Sequence, residues 1–164
     1  MAFDAYIKID NIPGEALDND HKDWIEMLSY QFGMTQDIST TASSAGGAAA
    51  GRAHLGDLQV TKHIDRASPK LFESAASGVH FSKVIIHVNR AGGKQQRYLE
   101  IVLEQVLISS FMHNANTQGD LPTESFTLNY GKIKINYTQQ KRSDGLGDGN
   151  VSGGWDRIAN KTHA

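Results

Sequence analysis

The 164-residue chain contains no cysteine, which excludes disulfides and thiolate metal sites without fixing a compartment. It has only 3 prolines against 16 glycines, and 8% aromatic residues. No segment approaches the roughly 18–20 apolar residues that a membrane-spanning helix needs. A formal charge of −2 supplies no global attraction to nucleic acid or to anionic membranes. The opening MAFDAYIKIDNIPGE is charged early and lacks an apolar core of signal-peptide length, so a general secretory leader is not expected. What is present is 39% hydrophobic, enough for a real core in one domain of this size. The glycine-rich, proline-poor character suits a folded, turn-rich β protein better than a disordered one.

Residues 58–89 organise the chain. In LQVTKHID, Leu58, Val60 and Ile64 share a face with Lys62, as a half-buried strand requires. Ser68-Pro69 then opens a short helix, with the serine hydroxyl as a candidate cap and proline at the first helical position. Leu71, Phe72, Ala75 and Ala76 form one apolar face, and Gly78 is a natural stop. VHFSKVIIHVN returns to β-type residues. The pattern predicts one helix, about Ser68–Ser77, set on an otherwise β chain.

Other segments fit that scheme. FDAYIKID alternates cleanly, residues 11–23 form a polar connection with Pro13-Gly14 as turn, and residues 24–32 read as a strand with Trp24, Leu28, Tyr30 and Phe32 in phase. Residues 96–111 are apolar in both phases, which predicts a strand covered on both faces, either by the helix or by a neighbouring subunit. In SFTLNYGKIKINYTQQ the apolar positions change parity at Gly131-Lys132, which calls for a bulge or for a corner between sheets. Ala91-Gly92-Gly93-Lys94 reads as a hairpin turn, since the phosphate-loop spacing is missing. TTASSAGGAAAGR, residues 40–52, is either a surface loop or an arm whose small residues allow close approach to a partner. The glycine- and aspartate-rich tail, 141–164, has one aromatic anchor in Trp155, and nothing marks a second domain.

Catalytic patterns are missing. The seven histidines, at 21, 54, 63, 80, 87, 113 and 163, make neither His-x-x-x-His nor His-Glu-x-x-His, and read as ordinary surface or partly buried residues. Asp18, Asp20, Asp23 and Glu26 crowd around His21, as a solvated connection often does. Residues 148–156 place oxygen ligands as a calcium loop would, but Ala159 stands where the bidentate glutamate belongs. No nucleophile elbow is present. Neither enzymatic activity nor a cofactor is expected.

Several blocks occur in an order that resembles the haemolysin-coregulated proteins (Hcp) of the type VI secretion system. They are Ile7-Lys8-Ile9, Ile12-Pro13-Gly14-Glu15, Asp18 with His21, and Ile25 through Gly33 (IEMLSYQFG). Val60-Thr61-Lys62-His63-Ile64-Asp65, Ala67-Ser68-Pro69-Lys70-Leu71, Arg90-Ala91-Gly92-Gly93 and Gly154-Trp155 follow. The resemblance spans residues 3–155. It implies a single domain, 1–164, built as a compact antiparallel β-barrel or two-sheet sandwich with one helix on its side. It also implies homo-hexameric rings that stack into a tube, expelled by a contractile sheath behind a spike protein, with small effector proteins carried in the lumen. Such a protein is made in the cytoplasm and secreted by that system, with no nucleic-acid partner and no membrane insertion.

By the same resemblance, loop 40–52 contacts an adjacent subunit or ring, with Thr40, Ser43, Gly46, Gly47, Gly51 and Arg52 as candidate contacts, and Gln31 is a candidate lumen-facing residue. Ser68, Pro69, Leu71 and Phe72 are the structural helix residues. Ala16 departs from the serine common in the family, which affects a local turn only. Because the chain stops soon after Trp155, a toxin domain beyond the barrel is not expected. The competing readings are a monomeric β-barrel binding a small ligand, which would be hollow, and a hydrolytic effector, which would need a clustered nucleophile and base.

Overall fold

The computed structural model describes residues 2–38, 50–92, 95–141, 143–144 and 147–164. Its elements are β1 (Phe3–Ile9), β2 (Ile25–Met27), β3 (Ser29–Gln31), β4 (Met34–Ile38), β5 (Ala50–Leu55), β6 (Leu58–His63), α1 (Ser68–Ser77), β7 (Phe81–Arg90), β8 (Arg97–Asn114), β9 (Thr123–Gln140), β10 (Gly147–Asp156) and β11 (Lys161–Thr162). Antiparallel ladders run β11-β10-β9-β8-β7-β1-β2, while β6 pairs with both β9 and β3. Among the described residues no ladder joins β2 to β6 edge to edge. The path passes from β2 to β3 along the chain at Leu28, whose N–H donates to the Thr61 carbonyl at 2.8 Å. Among the described residues the fold is thus a mainly β sandwich with one short helix, the helix as the sequence pattern predicted and the sandwich as the resemblance implied.

Long strands β8 and β9 serve both layers. The first half of β9 pairs with β6 and the second half with β10, while β8 follows β9 throughout. At the junction the inward face changes parity, from Tyr130 to Ile133 in β9 and from Leu103 to Val106 in β8. Register is continuous there, Glu104 opposing Lys132 and Val106 opposing Tyr130. Gln105 takes a left-handed φ of 54°, and a Cβ on the facing Gly131 would lie 2.8 Å from Gln105 Oε1. The parity error in β9 is therefore a sheet corner. It also corrects the reading of 96–111: both phases are apolar because the face switches at Gln105, while Val102 and Leu107 stay half-buried.

The core lies between the layers. Ile7, Ile86, Ile101 and Ile135 oppose one another across β1, β7, β8 and β9, and meet Leu58, Val60, Phe126 and Leu128. The phase expected for residues 24–32 is corrected in the same way. Ile25 and Met27 are the buried residues of β2 and Tyr30 is half-buried in β3, whereas Leu28 is exposed at the break between them.

Helix α1 starts and ends where expected, with Gly78 left-handed at its C-terminus (φ 67°). Ser68, however, does not cap it. Asp65 Oδ1 accepts the Ala67 N–H at 2.9 Å, while Ser68 Oγ accepts the Asp65 N–H at 3.0 Å and donates to Glu124 Oε1 at 2.7 Å. Leu71 is fully buried, but Phe72 is 62% exposed and touches only the rim, edge-on to Phe111. No helix among the described residues is long and apolar enough to cross a membrane.

Candidate assembly surface

Strands β4 and β5 form a two-stranded sheet that, among the described residues, pairs with neither layer. Every residue of β4 is exposed, as are four of the six in β5, including apolar Met34 (59%) and Ile38 (62%). A hairpin of this length buries too little to be stable alone, so its base must be fastened. Gly56 N–H donates to the Gly33 carbonyl at 2.9 Å, and Tyr130 Oη donates to the Gly56 carbonyl at 2.9 Å. Burial raises the Tyr130 hydroxyl above its ordinary value, which keeps it a donor.

Inside the hairpin the register slips between Gln36 and Ile38. A Cβ on Gly51 would lie 2.8 Å from the Asp37 carbonyl oxygen, and Gln36 Nε2 donates to the Gly51 carbonyl at 3.0 Å. Gly51 therefore permits close backbone approach, but to its own hairpin. Gly51 and Arg52 are strand residues of β5 rather than loop residues. Thr40, Ser43, Gly46 and Gly47 lie outside the described residues.

Between hairpin and sandwich lies a groove of about 510 Å³. Phe32, Met34 and Leu55 line one wall, and Ile133, Ile135 and Trp155 the other. Val151 and Ile158 add exposed apolar surface on and after β10. An apolar wall paired with an exposed hairpin is the kind of surface that protein contacts cover. Gln31, on β3, is exposed and donates through Nε2 to Gln59 Oε1 at 3.0 Å across the ladder. Ser68, Pro69, Leu71 and Phe72 belong to α1 and are not among the residues that line this groove.

Chemistry-bearing clusters are sparse elsewhere. Among the described residues no group of three or more His, Cys, Asp or Glu could hold a metal ion. Residues 148–156 lie in strand β10 and form no calcium loop; Asp156 instead accepts the Ile158 and Ala159 N–H groups at 2.9 and 3.0 Å. Those backbone bonds, led by Ala159, hold its carboxyl below the usual range. Sequence reasoning missed one arrangement: His21 is buried and joins His87 through their ring nitrogens at 2.9 Å. Its signal was Asp18 three residues before His21, but the partner lies 66 residues away.

The family model described as "Type VI secretion system effector, Hcp" matches residues 6–137. Protein hcp1 of Pseudomonas aeruginosa is 37% identical over 157 residues, covering 94% of this chain and 95% of that one. A solved type six secretion system protein superposes with a TM-score of 0.93 at 31% identity, over 99% of this chain and 100% of that one. The crystal structure of Hcp1 from Salmonella typhimurium gives a TM-score of 0.83 at 30% identity, again over 99% and 100%. Fold and sequence together define a protein of the type VI secretion system. The chain belongs to the Hcp family, a family of secreted proteins of that system.

Proposed function

We propose that this chain is the structural subunit of a type VI inner tube. Six copies close into a ring, rings stack into a tube, and the expelled tube carries small effector proteins in its lumen. The supporting observation is the exposed β4–β5 hairpin beside an uncovered apolar groove. Head-to-tail contact between two such unlike surfaces closes into rings or propagates as filaments. In this reading the hairpin and residues 40–52 reach the next subunit or ring, Gln31 faces the lumen, and the spike and sheath are partners of the assembled tube. The fully buried side chains that fill the sandwich, including Ile101, Leu103, Phe126 and Leu128, weigh against a hollow ligand-binding barrel. The test is imaging by negative stain with parallel light scattering. Ring-shaped particles of sixfold mass support the proposal, and a dispersed monomer opposes it.

A further inference from the structure

On the outer face of the large sheet, Tyr6, His87, Glu100 and Asn136 oppose one another in register across β1, β7, β8 and β9. The connection between β1 and β2 lays His21 and Trp24 over this row. The His21 ring stacks flat on Tyr6, with centroids 4.4 Å apart and planes at 8°. Trp24 meets His21 edge-on at 4.8 Å and His87 at 4.6 Å. A single hydrogen-bonded chain threads the cluster. Asp18 Oδ2 lies 2.6 Å from His21 Nδ1, His21 Nε2 lies 2.9 Å from His87 Nδ1, and His87 Nε2 lies 2.8 Å from Glu100 Oε2.

Counting protons constrains this chain. Three contacts need three protons when His87 Nε2 donates to Glu100 at 2.8 Å rather than accepting the longer 3.2 Å contact from Arg97, since His21 Nδ1 must donate to Asp18 and one of the two facing nitrogens must donate to the other. Two neutral imidazoles supply two. The third requires one imidazolium shared by the pair. We propose that Asp18, His21, His87 and Glu100 form a one-proton latch that fastens the β1–β2 connection to the sheet, closed while the histidine pair holds a single extra proton and open with none or two. With none, two lone pairs face each other at 2.9 Å; with two, a pair of N–H groups do.

The His21 ring lies between the Asp18 carboxylate and the face of Tyr6. His87 is the neutral member. Burial depresses its affinity for a proton, against the bond to Glu100, and the Arg97 guanidinium depresses it further. Arg97 Nη1 sits 3.2 Å from His87 Nε2 and donates to Glu100 Oε2 at 3.3 Å. Asn136 Nδ2 donates to Glu100 Oε1 at 3.0 Å, which holds that carboxylate in place. From β1 the remaining charged neighbours are Asp4, bonded to Gln95, and Lys8, over the Trp24 ring; Glu26 faces Tyr6 from β2. The connection stays tied to Arg66 through Gly14 and Asp23 when the latch opens, so the opening is local to His21 and Trp24.

This inference is independent of tube assembly. Its test is ring-nitrogen NMR of the full chain from about pH 5 to about pH 9, with Trp24 emission recorded in a Trp155→Phe background. Near neutral pH one imidazole is expected with both nitrogens protonated, and the other with Nε2 protonated and Nδ1 bare. Trp24 emission should shift at the same two midpoints. Asp18→Asn preserves the acceptor and removes the charge, so the shared proton should be held about tenfold less tightly, about one pH unit. Glu100→Gln should act in the same direction and serves if the first variant folds poorly. Two neutral rings in the wild-type chain at neutral pH, or variant titrations superposing on it, would overturn the proposal.

Discussion

Lys62 and Glu124 face each other across the β6–β9 ladder, with Nζ 2.5 Å from Oε1 and neither side chain reaching solvent. Lys62 also donates to Asp65 Oδ1 at 2.8 Å and to the His63 carbonyl at 2.9 Å, while Glu124 Oε2 has no hydrogen-bond partner among the described residues. Removing one partner strands a buried charge, so Lys62→Met should cost about 3–5 kcal/mol. Replacing both, as Lys62→Met with Glu124→Leu, should recover most of that loss. Urea unfolding midpoints check this, and a single variant costing under about 1 kcal/mol would contradict it.

The helix predicts an asymmetry between adjacent residues. Leu71→Ala empties a fully buried site and should lose about 2–5 kcal/mol. Phe72→Ala removes only an edge contact to Phe111 and should lose about 1 kcal/mol or less. Leu71→Asp should abolish cooperative melting followed by circular dichroism. Equal losses at the two positions would contradict the placement.

Acid should weaken the fold through β7 and β8. The His87 imidazole is lowered, so below the ordinary histidine value of about 6.5 the unfolded chain takes up a proton that the native one refuses. Burial alone would raise Glu100, but the bonds from His87 and Asn136 and the Arg97 charge outweigh it and leave that carboxyl lowered. Its stabilising contribution is present above the ordinary carboxylate value and lost as pH falls through the lowered one. Both effects make stability decline toward acid. The melting temperature of His87→Asn should show a flatter slope between about pH 6.5 and 5 than the wild-type chain. An unchanged slope would remove His87 from the explanation.

Ile38→Asp, in the hairpin, and Gly47→Asp should weaken ring formation or stacking while the subunit keeps its unfolding free energy within about 0.5 kcal/mol of wild type. Gly51→Val should do the same by forcing β4 and β5 apart at Asp37. Sedimentation velocity reads assembly and calorimetry reads folding. Unimpaired assembly of Ile38→Asp would exclude this face from the contact.

Period-two patterning made β1, β6 and β9 legible, and Ser68-Pro69 with Gly78 bounded the helix. Lys62 was visibly on an apolar face, but its partner lies 62 residues further on and only the ladder joins them. Parity at Gly131 was readable; its match at Gln105 was not, because an apolar strand in both phases looks the same whether it is covered twice or bent once. The polar row was hidden for a related reason. Tyr6, His87, Glu100 and Asn136 come from four strands, and no local spacing records their alignment. Gly51 was marked as a glycine of close approach, while the backbone it meets is that of Asp37.

The most direct test is the solution mass of the purified 17.9 kDa chain by light scattering, with negative-stain images of the same peak. Six copies per particle with a central hole is the expected result. A monomer at every concentration, with no rings in the images, would contradict the assembly proposed for the hairpin and its groove.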